Sequence, residues 1–167
     1  MPESQALISF RDRSFKYGEG AFDTTRTFGH RIFKLKEYID RFYRTFRFMQ
    51  LDPGLSPSKL MEITEEVLER NLPHLGKDED YWVTQRISQG VDHPDGDIAQ
   101  PTRPFVIVEC TPLPLKARAH LFRDGLEVIT PAIRRVPPES FSPRVITHNY
   151  LNLLVADQEA RRHNPKA

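Results

Sequence analysis

The chain has 167 residues, 38% of them hydrophobic and 28% charged, which is enough for a buried core and too apolar for a disordered tail. Its 24 Lys and Arg are interleaved with 23 Asp and Glu, and a net charge of +1 argues against a nucleic-acid surface. A lone cysteine, Cys110, points to a reducing compartment, and no apolar run approaches the roughly 20 residues that span a bilayer. The expectation is a cytoplasmic chain with no membrane partner.

From the N-terminus, Met1–Ser9 lacks the basic stretch and apolar run of an export signal. Tyr17-Gly18-Glu19-Gly20 reads as a glycine-bearing turn feeding a strand. Phe22–Phe28 alternates weakly and is rich in Thr and Phe, so Phe22–Phe33 predicts a β-hairpin turning near Gly29. Glycines followed by a strand match neither a dinucleotide fingerprint nor a P-loop, which both need a helix there. Next, Leu35, Ile39, Phe42, Phe46 and Met49 fall at three- and four-residue steps, predicting a helix that Pro53 and Gly54 end. Ser56 as N-cap and Pro57 at the first helical position open another, with an expected stripe of Leu60, Ile63, Val67 and Leu68 and a stop at Pro73.

Tyr81–Ser88 and Phe105–Cys110 read as strands separated by the loop Gly90–Pro104. The second is a continuous apolar run, so cover on both faces is expected. The prolines of Thr111–Leu115 predict an extended connection. Beyond it the pattern predicts a strand over Leu126–Ile133, a turn at Pro137-Pro138 and a helix from about Asn149 to Arg162, whose closing arginines suit a helix C-terminus. The fold class is therefore α+β: a small domain over 1–111, a linker over 112–120, and the beginning of a second domain over 121–167. One or two strands and a helix bury too little surface to stand alone, so that second domain is expected to be incomplete.

Three segments carry candidate chemistry. Tyr17–Phe28 is the first. In the second, Phe33–Tyr43, Arg41 borders the apolar stripe; it is either a solvated arginine whose stem covers the helix edge or a guanidinium held to bind phosphate bidentately. The third, Pro143–Ala160, is a strand end entering an amphipathic helix. His120, His148 and His163 are too scattered for a zinc site, and Asp92–Asp97 lacks the spacing of a calcium loop, so no metal is expected and that loop reads as solvated. The aromatics around Arg41, Arg44 and Arg47 read as a buried helix face with a charged edge.

In this order and spacing the three segments resemble the class IV aminotransferases, the fold type IV family of pyridoxal-phosphate enzymes that includes branched-chain and D-amino-acid aminotransferases and aminodeoxychorismate lyases. Tyr17 through Asp23 match its Tyr-Gly-Asp/Glu-Gly-apolar-aromatic-acid run, Asp40-Arg41-Phe42 its Asp-Arg-Leu/Phe step, and Pro143–Leu151 its Pro-Arg-apolar-Lys-Thr/Ser-x-Asn-Tyr/Leu-Leu run. The resemblance implies amino-group transfer between an amino acid and a 2-oxo acid, pyridoxal 5'-phosphate as cofactor and a homodimer. It assigns Arg41 to the cofactor phosphate, Tyr150 to the cofactor's phenolic oxygen, and Tyr17, Phe22 and Asp23 to a substrate pocket whose aromatic walls suit a branched-chain or hydrophobic substrate.

The departures matter as much. Ile146 stands where the family pattern has its cofactor-binding lysine, and no lysine lies between Lys116 and Lys166. A β-branched hydrocarbon neither bonds an aldehyde nor carries a proton, and general acid–base catalysis alone is worth about 10²–10⁴-fold. Gln89 stands where some relatives have a substrate-binding arginine, against a D-amino-acid mode. The resemblance also places a further N-terminal strand before Met1–Ser9, and beyond Ala167 a glutamate for the pyridine nitrogen and further phosphate-binding turns. The expectation is an impaired or inactive aminotransferase-like chain, a fragment or pseudoenzyme. The alternatives are a non-catalytic binding or dimerisation module that keeps the fold, and an aminodeoxychorismate-lyase-like scaffold.

Overall fold

Residues 2–95, 97 and 102–163 are described by the computed structural model. Strands β1 (Gly20–Phe28), β2 (Arg31–Ile32), β3 (Tyr81–Ser88) and β4 (Phe105–Pro112) form an antiparallel sheet in the order β2-β1-β3-β4. The β1–β2 hairpin turns at Gly29-His30, as its sequence predicts; both residues take positive φ (55° and 68°), which glycine tolerates without steric cost. Along β1 the pleat sends Ala21, Asp23, Thr25 and Thr27 inward, where they are buried, and Phe22, Thr24 and Arg26 to the other face.

Helices α2 (Leu35–Met49) and α3 (Pro57–Asn71) cover the inward face. The expected stripe of α2 is buried at Leu35, Ile39, Phe42 and Phe46, joined by Thr45, and packs on Ala21, Leu60 and Ile87. The helix ends at Met49, the last residue of its expected stripe. Gln50 adopts a left-handed conformation (φ 52°, ψ 40°) and donates its N–H to the Phe46 and Arg47 carbonyls, a cap that glycine usually supplies. In α3, Ser56 caps the Lys59 N–H as read from sequence, but the buried line is Leu60, Thr64 and Leu68, with Ile63 and Val67 only half-buried. Thr64 tolerates burial because its hydroxyl donates to the Leu60 carbonyl at 2.7 Å.

Two other expectations are corrected, and two helices are present that the pattern does not announce. β4 is not covered on both faces: it is the last strand in the sheet order, and its residues from Phe105 to Cys110 are half-buried. A short helix α1 (Arg13–Tyr17) precedes β1, capped by Asp12, whose side chain accepts the Phe15 N–H; five residues hold too little periodicity to be legible. Helix α4 (Leu115–Asp124) follows the extended connection expected over Thr111–Leu115, with Leu113-Pro114 between β4 and the helix. Leu126–Ile133 is not a strand. It has no sheet partner, and the Ala132 and Ile133 N–H groups donate instead to the Glu159 carboxylate of α5 (Leu151–His163).

The chain divides into two compact units, Met1–Pro112 with Val145–His148, and Leu113–Arg144 with Asn149–Ala167. In the first, α2 and α3 pack on the sheet, and Thr147 and His148 pair with β1. In the second, α5 gathers the irregular backbone through Glu159 and through Asn152, which donates to the Arg134 carbonyl and accepts from the Val136 N–H. None of the helices among the described residues is long and apolar enough to cross a membrane.

Candidate functional site

The first unit brings together the first two sequence segments and residues 145–148 of the third. Arg41 projects from α2 toward β1, where its Nε and Nη2 donate to the two Asp23 oxygens at 2.8 and 2.5 Å. Asp23 is fully buried, while the Arg41 side chain stays 45% exposed over the Tyr38 ring, 4.8 Å from its centroid. The carboxylate also accepts the Thr24 N–H at 2.8 Å. The guanidinium is therefore fixed in direction by a buried acid. Of the two readings open at Arg41, this geometry is not that of a merely solvated arginine. Asp23 itself has no exposed surface and meets the guanidinium with both oxygens.

One turn further along α2, the buried Thr45 accepts the Ile146 N–H through its hydroxyl at 3.4 Å. Residue 146 is thereby set beside the same helix as Arg41. Its neighbours continue the sheet: Thr147 bridges to Ala21, and the His148 N–H donates to the Gly20 carbonyl at 3.0 Å. Phe22 lies on the other face of β1, half-buried, stacked on His148 with ring centroids 5.7 Å apart and with the Arg86 guanidinium 5.4 Å from its own. Arg86 in turn donates to Glu109 at 2.8 Å.

Tyr17 is half exposed and its hydroxyl donates to Asp92 at 3.3 Å. Asp92 opens the loop read as solvated, yet it is buried and also bound by Lys16, with Arg13 3.9 Å away. Lys16 above all, then the Tyr17 hydroxyl and Arg13, hold its carboxyl below the usual carboxylate range despite desolvation. Gly96 and residues 98–101 of that loop lie outside the described residues. Tyr150, in the second unit, immediately precedes α5 and is 38% exposed. Among the described residues no cluster of three or more His, Cys, Asp or Glu is placed to hold a metal ion.

Sequence reasoning misses Thr45, Ser14, Arg86 and the role of His148. It weighs the histidine only as a zinc ligand; a position two residues after Ile146, facing a glycine-led strand, is a signal that only the pairing with β1 makes readable.

An antiparallel sheet backed by two helices makes the first unit an α+β fold. The family model for class IV amino-transferases matches residues 20–166. The chain belongs to the class IV aminotransferase family. It is 28% identical over 158 residues to a Methanocaldococcus jannaschii protein provisionally assigned as a branched-chain-amino-acid aminotransferase, covering 95% of this chain and 52% of that one. It is 31% identical over 160 residues to the aminodeoxychorismate lyase of Bacillus subtilis, again covering 95% and 52%. The chain thus spans about half the length of these relatives. Its fold matches the crystal structure of the branched-chain amino acid aminotransferase of Escherichia coli at a TM-score of 0.84, with 21% identity and coverage of 98% of this chain and 54% of that one.

Proposed function

We propose that this chain keeps the phosphate-holding part of an aminotransferase site and has lost the covalent anchor of its cofactor. The family reaction is amino-group transfer between an amino acid, branched-chain or otherwise hydrophobic, and a 2-oxo acid. The observation that carries the reading is the Arg41–Asp23 pair, fixed one helical turn from the hydroxyl that holds the backbone of Ile146. These residues fit the phosphate end of pyridoxal 5'-phosphate. They do not fit its aldehyde end, since the hydrocarbon at position 146 forms no bond to it, and no transfer step is assigned to this chain. When bound, the cofactor supplies an electron sink for chemistry at the substrate α-carbon. Tyr150 is the candidate contact for its phenolic oxygen, and Tyr17 and Phe22 are candidate pocket walls.

Titration of the purified chain with pyridoxal 5'-phosphate and pyridoxamine 5'-phosphate tests this. Binding of the amine form as tightly as the aldehyde is expected, with no borohydride-reducible bond mapped to residues 145–150. A mapped lysine that carries the reduced cofactor stoichiometrically would overturn it. We also read the assembly as a homodimer in the cytoplasm. The apolar side chains Leu7, Phe10 and Phe15 are 89%, 78% and 76% exposed on one short stretch, more than a lone surface usually leaves uncovered. Sedimentation equilibrium is expected to return twice the chain mass, and a concentration-independent monomer would refute the dimer.

A further inference from the structure

We propose that His148 is a positioning residue: held by Ser14 and stacked on Phe22, its neutral ring pins residues 145–148 against β1, and protonation releases them. The inference makes no use of a cofactor, because every contact it rests on is between residues of this chain.

The ring is built into its place. Its Nδ1 lies 2.6 Å from the Ser14 hydroxyl, and its face lies on Phe22. Gly20 makes the room: a Cβ there would come within 2.7 Å of Nδ1 and 2.8 Å of the Ile87 carbonyl, both too close for any side chain. The backbone repeats the same attachment, through the His148 N–H on Gly20 and the Thr147–Ala21 bridge. Ile146, anchored on Thr45, is therefore set in place from both sides, and His148 is the titratable member of the clamp.

The surroundings favour the uncharged ring. Its Nε2 is enclosed with no partner among the described residues, so a proton gained there meets no acceptor. Arg86 of β3 opposes the charge. Asp12, just before α1, favours it, but its oxygens are already engaged by the Ser88 hydroxyl at 2.6 Å and the Phe15 N–H. Ser14, Phe22 and Gly20 are neutral. Burial foremost, then Arg86, hold the imidazole below its ordinary value, with Asp12 opposing only in part. A histidine depressed in the folded state contributes stability that is complete above its unfolded value near pH 6.5 and is lost as pH falls below it toward the depressed folded value. Mild acid therefore loosens residues 145–148 before the sheet itself opens.

Amide hydrogen exchange by NMR on the full chain tests this. Between about pH 7.5 and about pH 5.5, corrected for intrinsic rates, protection of the His148 amide is expected to fall severalfold, by at most about tenfold. In His148→Gln, which cannot take up the proton, the loss on acidification is expected to vanish, and Ser14→Ala is expected to lower protection already at neutral pH. Flat protection in the wild-type chain, or an equal acid loss in His148→Gln, would overturn the proposal. Should that variant fail to fold, the wild-type ring decides: a carbon-13 titration midpoint below that of the other histidines supports it, and one at or above them refutes it. None of these readouts contains cofactor, so a negative cofactor titration leaves them standing.

Discussion

Arg41→Ala is expected to lower the free energy of unfolding by about 2–3 kcal/mol and to weaken binding of pyridoxamine 5'-phosphate by at least about tenfold. The stability loss follows from an asymmetry in the pair. Asp23 has no exposed surface, whereas the Arg41 side chain is 45% exposed. Removing the arginine leaves a buried carboxylate that still accepts the Thr24 N–H but has lost its counter-ion. Breaking a fully buried pair costs about 3–5 kcal/mol, and the exposure of Arg41 to water reduces that figure. Asp23→Asn, which removes the buried charge itself, should cost only about 1 kcal/mol and leave the guanidinium less well aimed. Urea midpoints with unchanged m-values, together with the double variant, measure the coupling directly. An Asp23→Asn penalty equal to or above that of Arg41→Ala would refute the orphaned-carboxylate account.

Phe42→Ala, at the adjacent position, should have the larger effect on stability and none of the effect on phosphate. Phe42 is wholly buried, packs on the Phe46 ring at 4.3 Å between centroids, and belongs to the cluster joining α2 to β1 and β3. Truncating such a ring costs about 3–5 kcal/mol through lost burial and the cavity left behind. Against the roughly 5–15 kcal/mol typical of a whole domain, that brings the fold close to its threshold. In the fraction that stays folded, affinity for pyridoxamine 5'-phosphate should match that of the parent chain. A folded Phe42→Ala protein that binds about tenfold more weakly would mean that core packing, and not the Asp23 contact alone, orients Arg41.

The contrast between these neighbours shows what was legible. Phe42 announced itself by period: a helix repeats every 3.6 residues, so Leu35, Ile39, Phe42 and Phe46 declare a buried face without any knowledge of its partner. Arg41 announced only a position on the border of that face. Whether it turned outward or inward depended on Asp23, eighteen residues earlier, and on the pleat that sends Asp23 to the helix side of β1. The burial of Asp23 was illegible for the same reason, since strand alternation could not be tied to a particular face before the helices were in place.

Local chemistry was therefore determined by the sequence alone: the hairpin at Gly29, the Ser56 cap, the buried stripe of α2, the family motifs and the hydrocarbon at position 146. Short-range rules govern such features, because each depends on residues within a few positions of one another. Tertiary structure alone decided the edge position of β4, the absence of a strand at Leu126–Ile133, the burial of Asp92 and the enclosure of His148. Each of these turns on a partner far along the chain or on a backbone conformation that no composition announces. Position 146 stands at the meeting of the two: the sequence shows what residue is there, and only the fold shows that Thr45, Ala21, Gly20 and Ser14 hold its segment in place.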